Sequence, residues 1–168
     1  MGAKVVAFIL VVLVLVGIWL VLRAQRVDRL HRQVEQARVV MFDHLKTRRQ
    51  ILKTALNDGS FGADFQSEEL EQLLATAPAG QSGHAGAGES GISAWLVQAW
   101  DQLERERPEV AQKLRANGFE LRAARRFYNQ QVAQVVRLRS QADVRMFRLA
   151  GRAPMPEPFD FDDEVPRA

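Results

Sequence analysis

The chain has no cysteine, which excludes disulfides, thiolate metal sites and cysteine nucleophiles. Histidine is nearly as scarce: His31, His44 and His84 are too scattered to share a metal. No phosphate-cradling Walker loop, no G-x-S-x-G and no H-E-x-x-H occurs, so the usual signatures of NTPases, serine hydrolases and zinc peptidases are missing. No enzyme is expected, and no cofactor is implied. Tyrosine occurs once, at Tyr128. The longest lack is of charge. Val5 to Leu22 reads VVAFILVVLVLVGIWLVL, eighteen residues without a charged side chain.

As a helix this run would rise roughly 27 Å at about 1.5 Å per residue, close to the thickness of a hydrocarbon core. A cleaved signal peptide would have an apolar stretch of about 7–15 residues and end at small side chains. This one ends Trp19-Leu20-Val21-Leu22-Arg23. A buried soluble helix would need a larger protein around it. The start Met-Gly-Ala-Lys-Val-Val lacks the Ser or Thr of a myristoylation signal. Residues 1–22 are therefore expected to be an uncleaved transmembrane anchor, followed by a domain over 23–168.

The flanks predict the orientation. Lys4 precedes the run, and Arg23, Arg26, Arg29 and Arg32 follow it with only Asp28 between them. Positive charge is retained in the cytoplasm, so the amino terminus is expected outside and the domain inside, at the cell membrane. Recurring every third residue, the four arginines form a slowly drifting helical stripe that would sit over anionic headgroups. Fixing topology alone would also explain them.

Charge elsewhere is segregated. Arg23 to Lys53 holds nine Lys and Arg residues against three acids, and Arg122 to Arg152 holds eight arginines against Asp143. Between the basic segments the apolar residues are helical in period. Val27, Leu30, Val34, Ala37, Met41, Leu45, Leu52, Ala55 and Leu56 follow heptad spacing, the pattern of a coiled-coil seam, up to a turn signal at Asn57-Asp58-Gly59. Arg48 interrupts this stripe at a core position, which requires it to snorkel or to meet a buried acid. A short helix is expected from Ser67, and residues 77–91, rich in glycine, are expected to be a flexible loop. Helix resumes at Ile92, with Trp95 and Trp100 on its core face, and Pro108 restarts it. Asn117-Gly118 reads as a stop, and a last helix is expected over 119–149, with Leu121, Ala124, Tyr128, Val132 and Val135 buried. The acidic tail, residues 157–164, is either solvated or paired with the arginines of that helix. The fold class is thus all-α, a transmembrane helix followed by an antiparallel up-and-down helical bundle.

Within the last helix stands Ala124-Arg125-Arg126-Phe127-Tyr128-Asn129. Together with the amino-terminal anchor, the Arg48-Arg49 pair and the closing RLAGRAPMPEPFDFDD, this arrangement resembles the LemA family of bacterial membrane-anchored helical bundles. The likeness covers residues 5–56 loosely and 120–163 more closely. Gln50-Ile51-Leu52-Lys53-Thr54 departs from the Asp-Leu-Ile-Pro-Asn stretch usual in that family. The resemblance implies place and fold and no established chemistry. Arg125, Arg126, Phe127, Tyr128 and Asn129 are the motif residues it singles out. Helical spacing puts Phe127 and Tyr128 in packing and leaves Arg125 and Arg126 exposed, with Asn129 fixing register in the seam.

Three functional classes follow. The first is a non-enzymatic adaptor or scaffold at the cytoplasmic face, with the membrane and an unknown protein partner as its contacts. The second is an anionic-lipid-binding or membrane-shaping protein. Nucleic-acid binding, suggested by an isoelectric point near 9.8, is the weakest of the three because aromatics are not interleaved with the basic residues and no reading motif occurs. No nucleic acid and no small-molecule substrate is expected.

Overall fold

The structure is a computed structural model and describes residues 2–58, 67–75, 85–151 and 153–162. All regular structure in these residues is helical: α1 (Gly2–Asn57), α2 (Ser67–Ala75), α3 (Ala85–Glu106), α4 (Pro108–Arg139) and α5 (Ala142–Met146). Residues 77–84 of the expected loop, and 163 and 164 of the expected acidic tail, lie outside the described residues.

Helix α1 runs 56 residues without interruption. It contains no proline, and a Cβ added at its internal glycine, Gly17, would meet nothing within 4 Å. It is long and apolar enough near its amino terminus to cross a membrane. From Val5 to Trp19 every residue is exposed, and Leu20 alone in the apolar run is half-buried.

Contacts divide the chain into two units, one of Met1–Gln36 with Gln130–Pro158 and one of Ala37–Asn129 with Phe159–Ala168. In the first, Val27 of α1, Leu138 of α4 and Val144 of α5 are buried together, with Leu30, Leu149 and Ala150 packed around them. The Arg23 guanidinium holds α5 by an ion pair to Asp143 at 2.7 Å and a hydrogen bond to Gln141 Oε1 at 3.0 Å. His31 Nδ1 donates to the Val27 carbonyl at 3.0 Å, which leaves Nε2 to accept from Arg139 at 3.3 Å.

The expected single helix over 119–149 is two helices. The Ser140 hydroxyl takes up the Val136 carbonyl at 2.8 Å and that of Arg137 at 3.0 Å, and Gln141 turns extended with ψ 140°. This local side-chain competition ends α4. Helix α5 then closes in a Schellman turn: Arg148 N–H donates to Arg145 O at 3.2 Å and Leu149 N–H to Val144 O at 3.0 Å. Arg148 occupies the left-handed position with φ 50°, where glycine is the easier residue.

The second unit has the larger core. Leu52 and Ala55 of α1, Leu70 and Leu74 of α2, Ile92, Trp95, Leu96, Trp100 and Leu103 of α3, and Ala111 and Leu114 of α4 are buried in one cluster. Both tryptophans are core, as their spacing predicts. Pro108 opens α4 as expected, with Arg107 O accepting from Val110 and Ala111 N–H, both at 3.0 Å.

Two boundaries differ from expectation. Asn117-Gly118 does not stop a helix, because α4 passes straight through it. Asn117 is buried and donates to the His44 carbonyl of α1 at 3.1 Å, and Gly118 is buried beside it. Helix α3 begins at Ala85, so residues 85–91 are not loop. Their small side chains permit close approach. A Cβ on Gly86 would collide with the Asp160 carbonyl oxygen, and one on Gly91 would lie 2.8 Å from Leu73 Cδ2.

Arg148→Gly should raise thermal stability by up to about 1 kcal/mol by relieving the left-handed residue. Arg148→Ala should leave stability within about 0.5 kcal/mol of the parent. Both are read from unfolding monitored by circular dichroism in detergent.

Candidate functional site: a buried arginine–glutamate centre closed by the tail

The α1 stripe Met41, Leu45, Arg48, Leu52 steps by 4, 3 and 4 residues, so Arg48 must point where a core side chain belongs. It is 2% exposed, Arg49 beside it 7%, and the carboxylate they meet, Glu89 of α3, 0%. Arg48 pairs with Glu89 Oε2 through NH2, which also donates to the Glu89 carbonyl at 3.2 Å, while its NH1 reaches Ser93 Oγ at 2.9 Å. Arg49 Nε donates to Glu89 Oε1 at 2.6 Å, and its NH1 to the Leu74 carbonyl at 3.4 Å. The Ser93 hydroxyl donates back to the Glu89 carbonyl at 3.1 Å. One carboxylate thus holds two guanidiniums, one on each oxygen, and ties α1, α2 and α3 together.

Burying three charged side chains together is costly away from water. The tail offsets part of that cost. Phe161, 5% exposed, presents its ring to Arg48 at 5.7 Å and to Arg125 of α4 at 5.4 Å, an attraction between cation and ring quadrupole. Phe159 lies edge-on to Phe161 at 5.4 Å and to Phe42 of α1 at 5.5 Å.

The tail backbone is fixed as firmly as its rings. Asn129 donates Nδ2–H to the Phe159 carbonyl at 3.0 Å and accepts the Phe159 N–H on Oδ1 at 2.9 Å. Three residues on, Asp162 N–H donates to Ser90 Oγ at 3.0 Å. In this extended segment alternate side chains face inward: Phe161 is buried, whereas the Asp160 side chain is 91% exposed and pairs with Arg125 at 3.0 Å.

The RRFYN residues thereby divide differently from expectation. Tyr128 is buried and Arg126 exposed, as its spacing predicts. Phe127 is 53% exposed rather than packed, because it lies about 100° around the helix from Tyr128 and off the Leu121, Tyr128, Val132, Val135 stripe. Arg125 is engaged by the tail rather than free on the surface, and Asn129 bonds the tail rather than a neighbouring helix. Of the stripe beyond the apolar run, Arg26, Arg29 and Arg32 are exposed. Arg23 is half-buried on Asp143 and lies over the Trp19 ring at 5.6 Å.

Glu89 was missed because it stands in a glycine-rich stretch that reads as linker. It is the one acid between Ala77 and Gly91, and of the two ways to place Arg48 in the stripe, snorkelling or a buried acid, the structure has the acid. Gly86, Gly88 and Gly91 have the Gly-x-Gly-x-x-Gly spacing of a dinucleotide loop, but they lie within α3 and no strand is present among the described residues, so that motif's context is missing. A cleft of about 380 Å³ borders the centre, with Phe42, Lys46, Arg49, Lys53 and Leu74 in its wall. Among the described residues no group of three or more His, Asp or Glu side chains is placed to hold a metal. The arrangement is chemically a clamp that positions segments. The chain matches no family model, no curated protein sequence and no solved structure.

Glu89→Ala would leave both guanidiniums buried without their carboxylate and should lower the unfolding free energy by about 3–5 kcal/mol. Removing Glu104, which pairs with Arg115 on the surface, should cost under about 1 kcal/mol. Chemical denaturation of the two variants side by side checks the contrast. Asn129→Ala and Gly86→Ala should each keep the helical core but free the tail, seen as faster proteolytic cleavage around residues 158–162.

Proposed function

We propose that the chain is a single-pass membrane protein of the LemA type. Its helical domain acts as a non-enzymatic adaptor or scaffold at the cytoplasmic face of a bacterial membrane, with the amino terminus outside. One observation carries this reading: the apolar run of α1 is exposed along almost its whole length and continues, with no break at Arg23, into the helix that carries the packed stripe. A protein in water would leave fifteen large apolar side chains of this run wet, each worth about 1.5–3 kcal/mol on burial. A bilayer removes that cost.

The LemA reading rests on the motif and its surroundings. RRFYN places its tyrosine in the core and uses Arg125 and Asn129 to bind the aromatic-acidic tail that the resemblance also includes. An antiparallel arrangement is supported by the bond from Asn117 to the His44 carbonyl, and by one cluster that holds Leu52 and Ala55, later in α1 than His44, with Ala111 and Leu114, earlier in α4 than Asn117. The scaffold role is supported by what remains exposed on α4: Phe119, Arg126 and Phe127 are surface side chains that a protein partner would cover. A second reading, direct binding of anionic lipid, is favoured by the exposure of Arg26, Arg29 and Arg32.

Membranes from cells expressing the full chain should retain it through alkaline carbonate washing, and Arg126→Ala/Phe127→Ala should lose a partner that the parent captures from solubilised membranes. Recovery of a soluble product lacking the first two dozen residues would overturn the anchor, and an unchanged set of captured proteins would overturn the scaffold surface.

A further inference from the structure

The first unit has an exposed element that neither the scaffold reading nor the arginine stripe uses. Arg145, Met146, Phe147 and Arg148 are four consecutive exposed residues, with Met146 71% and Phe147 44% accessible. An apolar pair flanked by arginines is the composition of an interfacial segment, in which rings and thioethers enter the headgroup boundary and guanidiniums stay with the phosphates.

Its position is fixed by named bonds. Arg23 is the first residue after the apolar run, and it holds Asp143 at 2.7 Å and Gln141 at 3.0 Å. Leu20, three residues before Arg23 and inside the run, is half-buried, as is Ala24. Leu20 and Ala24 thus lie within one turn of Arg23, the residue that bonds Gln141 and α5. Val144 is turned inward to Val27 and Leu138, Asp143 is held by Arg23, and Arg145 and Met146 of the same five-residue helix are exposed. Arg148 supplies its cation from a left-handed backbone position, φ 50°, that glycine would fill with less strain.

We infer that the α5 turn, Arg145 to Arg148, is a second membrane-contacting element: Met146 and Phe147 insert at the headgroup boundary of the bilayer that holds α1, and Arg145 and Arg148 bind anionic headgroups. This rests on the reading that residues 5–22 lie in that bilayer. The occupant is lipid and not protein because the element is tied to the end of the span and carries the charge complementary to anionic headgroups.

Since the chain lacks cysteine, single cysteines can report position in the full-length protein reconstituted into vesicles of phosphatidylcholine with or without phosphatidylglycerol. An environment-sensitive fluorophore is placed by Met146→Cys, by Val12→Cys in the span and by Phe127→Cys on the exposed face of α4. The Val12 label should be quenched by spin labels deep in the acyl chains and the Phe127 label only by aqueous iodide. The Met146 label should be quenched by spin labels near the headgroup end and shielded from iodide, and Arg145→Glu with Arg148→Glu should weaken that quenching most in the anionic vesicles. A Met146 label that behaves like the Phe127 label while Val12 is quenched overturns the inference and spares the anchor. Shielding from iodide without lipid quenching points to a protein neighbour and also overturns it. If Val12 escapes lipid quenching, anchor and inference fall together.

Discussion

A carboxylate with no access to water, held between two guanidiniums, is the constraint on which the larger unit depends. Glu89 has no room to be elsewhere: with Arg48 and Arg49 both buried on α1, its removal from the core would strand two cations. The chain around Glu89 must therefore be regular, and α3 starts at Ala85, well before its apolar face begins at Ile92. Small residues make this possible. At Gly86 the tail backbone passes where a side chain would be, and at Gly91 Leu73 of α2 does. A buried ionic group of this kind adds little net stability, because the desolvation of three charges offsets much of their attraction. What it does is join particular segments: Arg48 and Arg49 of α1 to Glu89 of α3, and Arg49 to the Leu74 carbonyl of α2.

The tail completes the same interaction. Phe161 covers Arg48 and meets Arg125 with the same ring, so one aromatic face of the tail attracts two cations. Asn129 accounts for the polar end of the motif by matching both the donor and the acceptor of one peptide unit, at Phe159. An aromatic-acidic tail distant in sequence and an Arg-Arg-Phe-Tyr-Asn segment in a helix are thus two halves of one contact, with Arg126 and Phe127 left on the outside.

Helical period made much of this legible. The end of α1 at Asn57, the opening of α2 at Ser67, the restart at Pro108 and the burial of both tryptophans follow from apolar spacing and turn residues. The interruption at Arg48 was visible, as was the excess of arginine opposite an acidic tail. What was not legible had particular causes. Residues 85–91 have the composition of a linker, because the demand for small side chains in a tight helix contact and the tolerance of a loop select the same amino acids. Asn117-Gly118 has the composition of a helix stop, and here Asn117 bonds the His44 carbonyl of α1 and Gly118 is buried beside it. Phe127 was misplaced because Tyr128 and Phe127 are both aromatic and the period admits only one of them. Ser140 ends α4 through a hydroxyl competing for carbonyls, which leaves no trace in apolar spacing.

Helix α1 carries the apolar run, the Arg23 contact to α5 and the charged centre. Glu89 locks the glycine-rich start of α3 against α1, and amide hydrogen exchange of the intact chain in lipid nanodiscs measures this most directly. The account predicts that amides of residues 89–93 exchange as slowly as those of residues 45–52. Exchange at residues 89–93 at the rate of an unstructured peptide, with 45–52 protected, would contradict it.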